Sequence, residues 1–250
     1  MKNLRLGIAM LCCAGAVAQA QQSDPGAPSK DPLERYNRAV FEFNDALDRA
    51  VLSPLARGYQ TVVPELMRQG VTNFFGNFAD GWSAINQALQ GKGEAAATMT
   101  MRVVTNSFFG IGGVFDVASD LGMERQSEDF GQTLGRWGVP AGAYFVWPVL
   151  GPSTIRDSVG RPLDLAWSPS AVVEHGETAL SLTLLNLVDT RANLLSASKV
   201  LDGIALDRYT FVRDAYLARR RNQVYDGDPP EEAGSSDEPP VAAPVPPSKP

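Results

Sequence analysis

Residues Asp31–Asp48, DPLERYNRAVFEFNDALD, read as the first helix of a helical body. Asp31 stands as an N-cap acid, Pro32 at the first helical position and Glu34 as the capping-box carboxylate, the arrangement that satisfies orphan donors at a helix start. Leu33, Tyr36, Val40, Phe43 and Leu47 then recur at spacings of three and four, one face of a 3.6-residue helix and the expected contact with neighbouring helices. Further helices are predicted over Pro64–Phe78, over Asp80–Leu89 with Gly91 as its C-cap glycine, and over Glu94–Phe109. Glu177–Leu201 carries eight leucines and reads as a long core helix. Ala205–Val224 closes the body, with Leu206, Tyr209, Val212 and Tyr216 on one side. Strand-like alternation is scarce. The fold class that follows is all-α, one domain over residues 31–225.

Two segments break this pattern. Gly138–Asp157, GVPAGAYFVWPVLGPSTIRD, packs Tyr144, Phe145 and Trp147 between Pro140, Pro148, Pro152, Gly138, Gly142 and Gly151. Proline removes a ladder donor and glycine weakens a strand, so the run sits poorly in a sheet. A bilayer span needs about 20 apolar residues, and the run is too short and too broken for one. Contact with lipid at an interface is the expectation. Asn106–Ala118, NSFFGIGGVFDVA, repeats the mixture of aromatic and small residues. Phe108, Phe109, Phe115, Tyr144, Phe145 and Trp147 are therefore the candidate lipid-facing or channel residues, and Gly110, Gly112, Gly113, Pro148, Gly151 and Pro152 the candidate turns and hinges. Thr154, Arg156 and Asp157 are expected to fix the turn beneath them, with the last two paired elsewhere in the fold.

The ends of the chain carry their own signals. Lys2 and Arg5, the apolar stretch Leu6–Val17 and Ala18-Gln19-Ala20 read as an export signal over residues 1–20. Both cysteines, Cys12 and Cys13, lie inside it, so cleavage after Ala20 leaves neither a disulfide framework nor a cysteine metal site. Cleavage also removes two cations and no acid, taking the formal charge from −6 to −8. An acidic mature chain argues against nucleic acid as a partner. Residues 21–30 form a polar leader. Residues 226–250 are rich in proline and acid with no aromatic residue, the composition of a disordered tail.

Enzyme signatures are missing. The lone His175 has no GxSxG serine elbow to serve, and Thr178 breaks any H-E-x-x-H zinc pattern begun by Glu174. Gly110-Ile111-Gly112-Gly113 follows no strand and lacks the third spaced glycine of a dinucleotide loop, and no Walker A sequence occurs. Neither a cofactor nor a metal is expected. Glu128-Asp129 reads as solvated charge, and Arg219-Arg220-Arg221 as cations complementing the last helix dipole.

Several long motifs stand in one order: Asp31–Asp48, Asn73–Asn77, the Leu89-Gln90-Gly91-Lys92 turn, Asn106–Ala118, Gly131–Gly138 (GQTLGRWG), Gly138–Asp157 and Asp164. Together they resemble the MlaA/VacJ family of Gram-negative outer-membrane proteins in the phospholipid-trafficking pathway called Mla. The resemblance implies a single ring-like multi-helix domain embedded at the inner leaflet of the outer membrane, bent around a central amphipathic channel and held by a trimeric porin. It implies a passive phospholipid channel that removes mislocalised phospholipids from the outer leaflet and hands them to a periplasmic lipid carrier. A non-transporting envelope scaffold that binds porins is the alternative, and a lipid hydrolase is opposed by the missing nucleophile. Family members are often lipoproteins, but the residues before Cys12 and Cys13 form no good lipobox, which disfavours an acyl anchor there.

Overall fold

The computed structural model describes residues 31–173, 175–204 and 207–230. The export signal with Cys12 and Cys13, the leader, Leu206 and the tail beyond residue 230 lie outside the described residues. The body is helical as expected. Helix α1 spans Glu34–Leu47 and runs through a π-helical segment, Asp48–Leu52, into α2, Ser53–Val62. Then follow α3 (Glu65–Leu89), α4 (Gly93–Phe108), α5 (Val117–Asp120) and α6 (Phe130–Arg136). A two-stranded hairpin, β1 (Tyr144–Trp147) and β2 (Gly151–Thr154), precedes α7 (Ile155–Ala166) and α8 (Pro169–Val172). The last helices are α9 (Gly176–Asn193), α10 (Leu195–Ile204) and α11 (Arg208–Val224).

Helix α3 is continuous where two helices were expected. Across the expected boundary at residue 79, Asn77 and Asp80 are buried polar contacts and Gly76 faces the Arg125 guanidinium, which a Cβ would meet at 2.9 Å. The helix ends at a tight turn into α4, where Gly91 takes φ +78°, open to glycine and costly for other residues. The long leucine-rich helix divides at Leu194, and of its leucines Leu195 is buried in an apolar cluster. Within α9 only Asp189 and Ala192 are buried, while Leu180 and Leu184 are exposed.

The first helix is rotated relative to the sequence expectation. Leu33, Tyr36 and Phe43 face outward, and Asn37 is its fully buried residue. Leu33 rather than Asp31 takes the cap position; Asp31 accepts from the Leu33 amide at 3.0 Å in the turn ahead of the helix, and Glu34 pairs with Arg38 rather than reaching back. The carboxylate of Asp31 also accepts from Asn37 Nδ2 and from the Tyr209 hydroxyl, tying α1 to α11.

The Gly138–Asp157 run contains a hairpin after all. Tyr144 pairs with Thr154 and Trp147 with Gly151, in antiparallel register. Its breakers are tolerated because the sheet has only two strands and the free edge of β1 is closed by side chains. Asn37 donates to the Tyr144 carbonyl at 3.0 Å and accepts from the Val146 amide at 2.9 Å. Two helical turns on, Asn44 donates to the Trp147 carbonyl at 2.9 Å and accepts from the Val149 amide at 2.7 Å. Two asparagines seven residues apart thus stand in for a third strand. Removing one side strands buried backbone groups, so Asn37→Ala is expected to cost about 2–4 kcal/mol of stability. A thermal or chemical unfolding curve checks this, with Asn37→Asp, which sets a buried carboxylate against the Asp31 carboxylate and the Tyr144 carbonyl, costing at least as much.

Candidate functional site: polar interior, apolar exterior

The helices bury polarity and expose hydrocarbon. Among the described residues, nine apolar side chains are buried against eighteen polar or charged ones. The two apolar clusters are small: Ala56, Ala192 and Leu195 in one, Tyr144, Val146 and Tyr209 in the other. An ordinary aqueous domain has the reverse balance, because buried polar groups need partners and apolar burial supplies most of the stability.

Three ionic clusters supply those partners. In the first, Arg220 on α11 bridges Asp129 (2.6 and 2.9 Å) and Asp157 (2.8 and 3.0 Å). Asp157 also accepts from Arg156 at 3.0 Å and from the Tyr216 hydroxyl at 2.9 Å. Burial pushes the Asp157 carboxyl upward, but Arg220 and Arg156 outweigh it and hold the group below the ordinary range. Gly131 and Gly160 leave the room. A Cβ at Gly131 would meet Asp157 Oδ1 at 2.6 Å and Arg220 Nη2 at 2.8 Å, and one at Gly160 would meet the Gly131 nitrogen at 2.9 Å. In the second cluster, fully buried Arg102 on α4 joins Asp80 (3.2 Å) to Asp116 (3.0 Å), with Arg125 on the far side of Asp80 (2.9 Å). Burial opposes ionisation of Asp116 as well. Hydrogen bonds from Ser119 and Asn106 and the charge of Arg102 win, bringing its pKa down to about 2. The third cluster pins α9: Asp48 takes Arg191 (2.8 Å), and Asp189 accepts from Tyr59 (3.0 Å) and Thr72 (2.7 Å).

These contacts correct two sequence expectations. Glu128-Asp129 is not solvated charge: Glu128 pairs with Lys92 at 2.9 Å and Asp129 with Arg220. Arg220 is a buried bridge rather than a terminal cation for the helix dipole. Thr154 does fix the start of α7, its hydroxyl accepting from the Asp157 amide at 3.2 Å, and Arg156 pairs with its own neighbour.

Around this frame lie three adjoining cavities. One of about 510 Å³ has Ser153, Asp157, Asp164, Tyr216 and Arg220 in its walls. A second, of about 480 Å³, runs between α3, α7–α8 and α9 and sets Phe75 and the stacked pair Trp82–Trp167 (5.4 Å) against Arg125, Asn186 and Asp189. Asp164 lines both, held by Trp82 Nε1 (2.7 Å) and the Phe130 amide (2.9 Å), and burial raises its pKa. The third, of about 230 Å³, shares Pro152 with the first and Leu194 with the second. The walls of all three mix polar and apolar side chains.

The outer surface is a different chemistry. Phe108 and Phe109 are 79% and 76% exposed at the end of α4, and Phe115 is exposed beside them. The loop they flank satisfies its own backbone: Gly112 donates to the Ser107 carbonyl, Gly113 to Asn106 and Phe115 to Gly110. Gly112 and Gly113 carry the positive φ that the turn requires, and a Cβ at Gly110 would strike the Phe115 carbonyl at 2.1 Å. Ile111 and Val149, β-branched yet left-handed at φ 53° and 66°, present exposed side chains at the tips of this loop and of the hairpin. Pro148 lies in the hairpin turn, with Gly151 and Pro152 opening β2. Phe145 and Trp147 are half-buried, Phe145 stacked on Tyr36 at 5.2 Å and Trp147 donating to Ser158 at 2.9 Å. Tyr144 departs from expectation. It points inward, 4% exposed, against Tyr209 and Tyr216, because alternation along β1 sends residues 144 and 146 to the core face. No helix among the described residues is long and apolar enough to cross a membrane.

These contacts define a helical body with a charge-clamped polar interior and an exposed apolar rim. Residues 29–223 match the MlaA lipoprotein family, and the chain belongs to that family. It is 32% identical over 242 residues to the intermembrane phospholipid transport system lipoprotein MlaA of Haemophilus influenzae, covering 91% of this chain and 93% of that one. The Escherichia coli protein of the same description is also 32% identical, over 88% of this chain and 86% of its own. An uncharacterised Rickettsia bellii protein is 34% identical over 78% and 76% of the two chains. A solved structure described as the structural basis for maintenance of bacterial outer membrane lipid asymmetry superposes with a TM-score of 0.69 at 32% identity. It covers 78% of this chain and 99% of that one.

Two predictions follow from the charge clusters. Arg220→Gln leaves two carboxylates without their bridge and is expected to destabilise the fold by about 3–5 kcal/mol, read from denaturant unfolding; Arg220→Lys recovers only part, lacking the planar fork. Asp116, depressed in the folded state, contributes stability that is present above its unfolded value and lost as pH falls through about 4 towards about 2. Melting temperatures across that window should fall less steeply for Asp116→Asn than for the unaltered chain.

Proposed function

We propose that this chain serves intermembrane phospholipid transport as a passive, non-enzymatic conduit at the periplasmic face of the outer membrane. It takes phospholipids out of the outer leaflet and passes them to a periplasmic carrier, maintaining lipid asymmetry, and it is held in place beside a trimeric porin. The carrying observation is the inverted distribution of polarity: amphipathic cavities inside a charge-clamped ring of helices, and a rim of exposed Phe108, Phe109 and Ile111 outside. A phospholipid needs this mixture, polar groups for its head and apolar wall or bilayer for its chains. The names of the Haemophilus and Escherichia relatives support the same pathway. With no nucleotide motif in the sequence, such a conduit lowers a barrier, and its orientation and the acceptor set the direction of flow.

A strain lacking the protein is expected to carry more phosphatidylethanolamine accessible to an impermeant amine reagent. An unchanged outer leaflet would overturn the transport reading. Ala79 lines the second cavity and makes none of the ionic contacts itself, so Ala79→Trp narrows the cavity and keeps every charged side chain. That variant should fold and reach the membrane yet fail to restore asymmetry; full restoration would favour a porin-binding scaffold.

The rim is tested separately. Each exposed phenylalanine placed in lipid contributes roughly 1.5–3 kcal/mol. Phe108→Asp with Phe109→Asp, both outside the packed body, should shift the mature protein from outer-membrane to soluble fractions by more than about tenfold in a strain without the porin.

A further inference from the structure

The 510 Å³ cavity contains guanidinium groups that form no ion pair among the described residues. Its walls hold Asp129, Asp157 and Arg220, which together with Arg156 form a closed set of two acids and two cations. Asp164, the remaining acid, is turned to Trp82 and the Phe130 amide. Two further guanidiniums line the same cavity, Arg161 on α7 and Arg219 on α11.

Arg161 stands one helical turn after Asp157, the spacing at which an acid and an arginine ordinarily pair. Asp157 is already committed to Arg220 and Arg156, and Arg161 donates only to the Leu150 carbonyl, at 3.3 Å. Arg219 forms no ion pair among the described residues. Beside these cations the wall is apolar, built from Leu150, Pro152 and Leu165. The cavity thus joins two uncommitted guanidinium groups to a hydrocarbon surface, next to a charge cluster that is already balanced.

We infer that Arg161 and Arg219 form a headgroup subsite that takes the phosphate of a glycerophospholipid and favours anionic headgroups over zwitterionic ones. This rests on the phospholipid-handling reading above. The guanidinium fork matches phosphate oxygens in geometry and charge. Counting Asp164, three acids and four cations bound the cavity, so a net positive charge remains, and phosphatidylglycerol, itself net negative, is favoured over net-neutral phosphatidylethanolamine. Leu150, Pro152 and Leu165 receive the first part of the acyl chains.

The test uses the full-length mature protein in mild detergent, titrated with dihexanoyl phosphatidylglycerol, dihexanoyl phosphatidylethanolamine and inorganic phosphate. The unaltered protein should bind the phosphatidylglycerol several-fold more tightly than the phosphatidylethanolamine. Arg161→Gln and Arg219→Gln should each weaken phosphatidylglycerol by about tenfold, the scale of a lost charge-assisted contact, and phosphatidylethanolamine, which carries the same phosphate, by less, so that the preference narrows. Neither arginine belongs to the three clusters, so melting temperatures should hold, whereas Arg220→Gln melts early. Equal phosphatidylglycerol affinity in the unaltered protein and the double variant overturns the subsite, whatever the leaflet assay gives. Inorganic phosphate binding as tightly as the lipid overturns the lipid assignment in favour of a free-anion site. A deletion strain with a normal outer leaflet overturns transport but leaves these binding ratios standing, so the two failures are separable.

Discussion

Arg220 clamps α11 to the starts of α6 and α7, which neither of the two apolar clusters reaches. It is carried by α11, and its guanidinium reaches Asp129 at the start of α6 and Asp157 in the first turn of α7. Asp129 is also the N-cap of α6, accepting from the Gln132 amide at 2.8 Å. Asp157 follows Thr154, which caps α7 and ends the hairpin. One side chain therefore fixes the relative placement of three helices and the hairpin. A hydrophobic contact would tolerate sliding, but a fork engaging two carboxylates does not. The geometry demands glycine at 131 and 160, since any Cβ there would occupy the space of the carboxylate or separate α6 from α7.

A fold built this way inverts the usual division of labour. Buried ion pairs bring little net stability over an apolar alternative, because desolvation consumes most of the attraction. What they supply is a unique arrangement around space that must stay open. Apolar side chains would close the three cavities by collapse, whereas charged groups held at fixed distances keep the walls apart. The hydrocarbon displaced from the interior stands at the surface, on Leu66, Met67, Phe108, Phe109 and Ile111. Exposed to water, that rim is a liability; set in lipid, it is solvated. Interior and exterior are two sides of one constraint, and neither makes sense without a membrane beside the protein.

Helices were legible in the sequence and their orientation was not. Periodicity located α1 and α11, because spacings of three and four depend only on helical geometry. The inference from apolar face to buried face failed at α1 and α9, since it assumes water as the outer solvent. Leu33, Tyr36 and Phe43 are periodic and exposed, while Asn37 and Asn44 on another side of α1 meet the hairpin. The hairpin was hidden for a related reason: its breakers matter only in a wide sheet, and its edge partner comes from α1, a hundred residues away. Phe108, Phe109 and Phe115 were read from composition and stand exposed; Tyr144 belonged to the same composition and turned inward on strand alternation. The ionic clusters were missed because their partners are far apart in the chain. A usable signal existed, namely acids inside helices, Asp80 and Asp189, together with glycines in the GQTLG run, positions that local propensity disfavours.

The closed clusters also bear on how a lipid would be handled. A headgroup passing a wall of unpaired charges would bind tightly and stay, since each charge-assisted contact is strong in a partly desolvated cavity. Pairing Asp157 and Asp129 with Arg220, and Asp80 with Arg102 and Arg125, leaves those walls polar yet electrostatically spent. Such a surface can exchange hydrogen bonds with a moving headgroup without trapping it. Committed charge therefore lines a path, and uncommitted charge marks a stopping point. Arg161 and Arg219 are of the second kind, beside the apolar wall where an acyl chain has somewhere to rest. A passive conduit needs both, because selectivity requires a site that discriminates and throughput requires that the remaining walls do not.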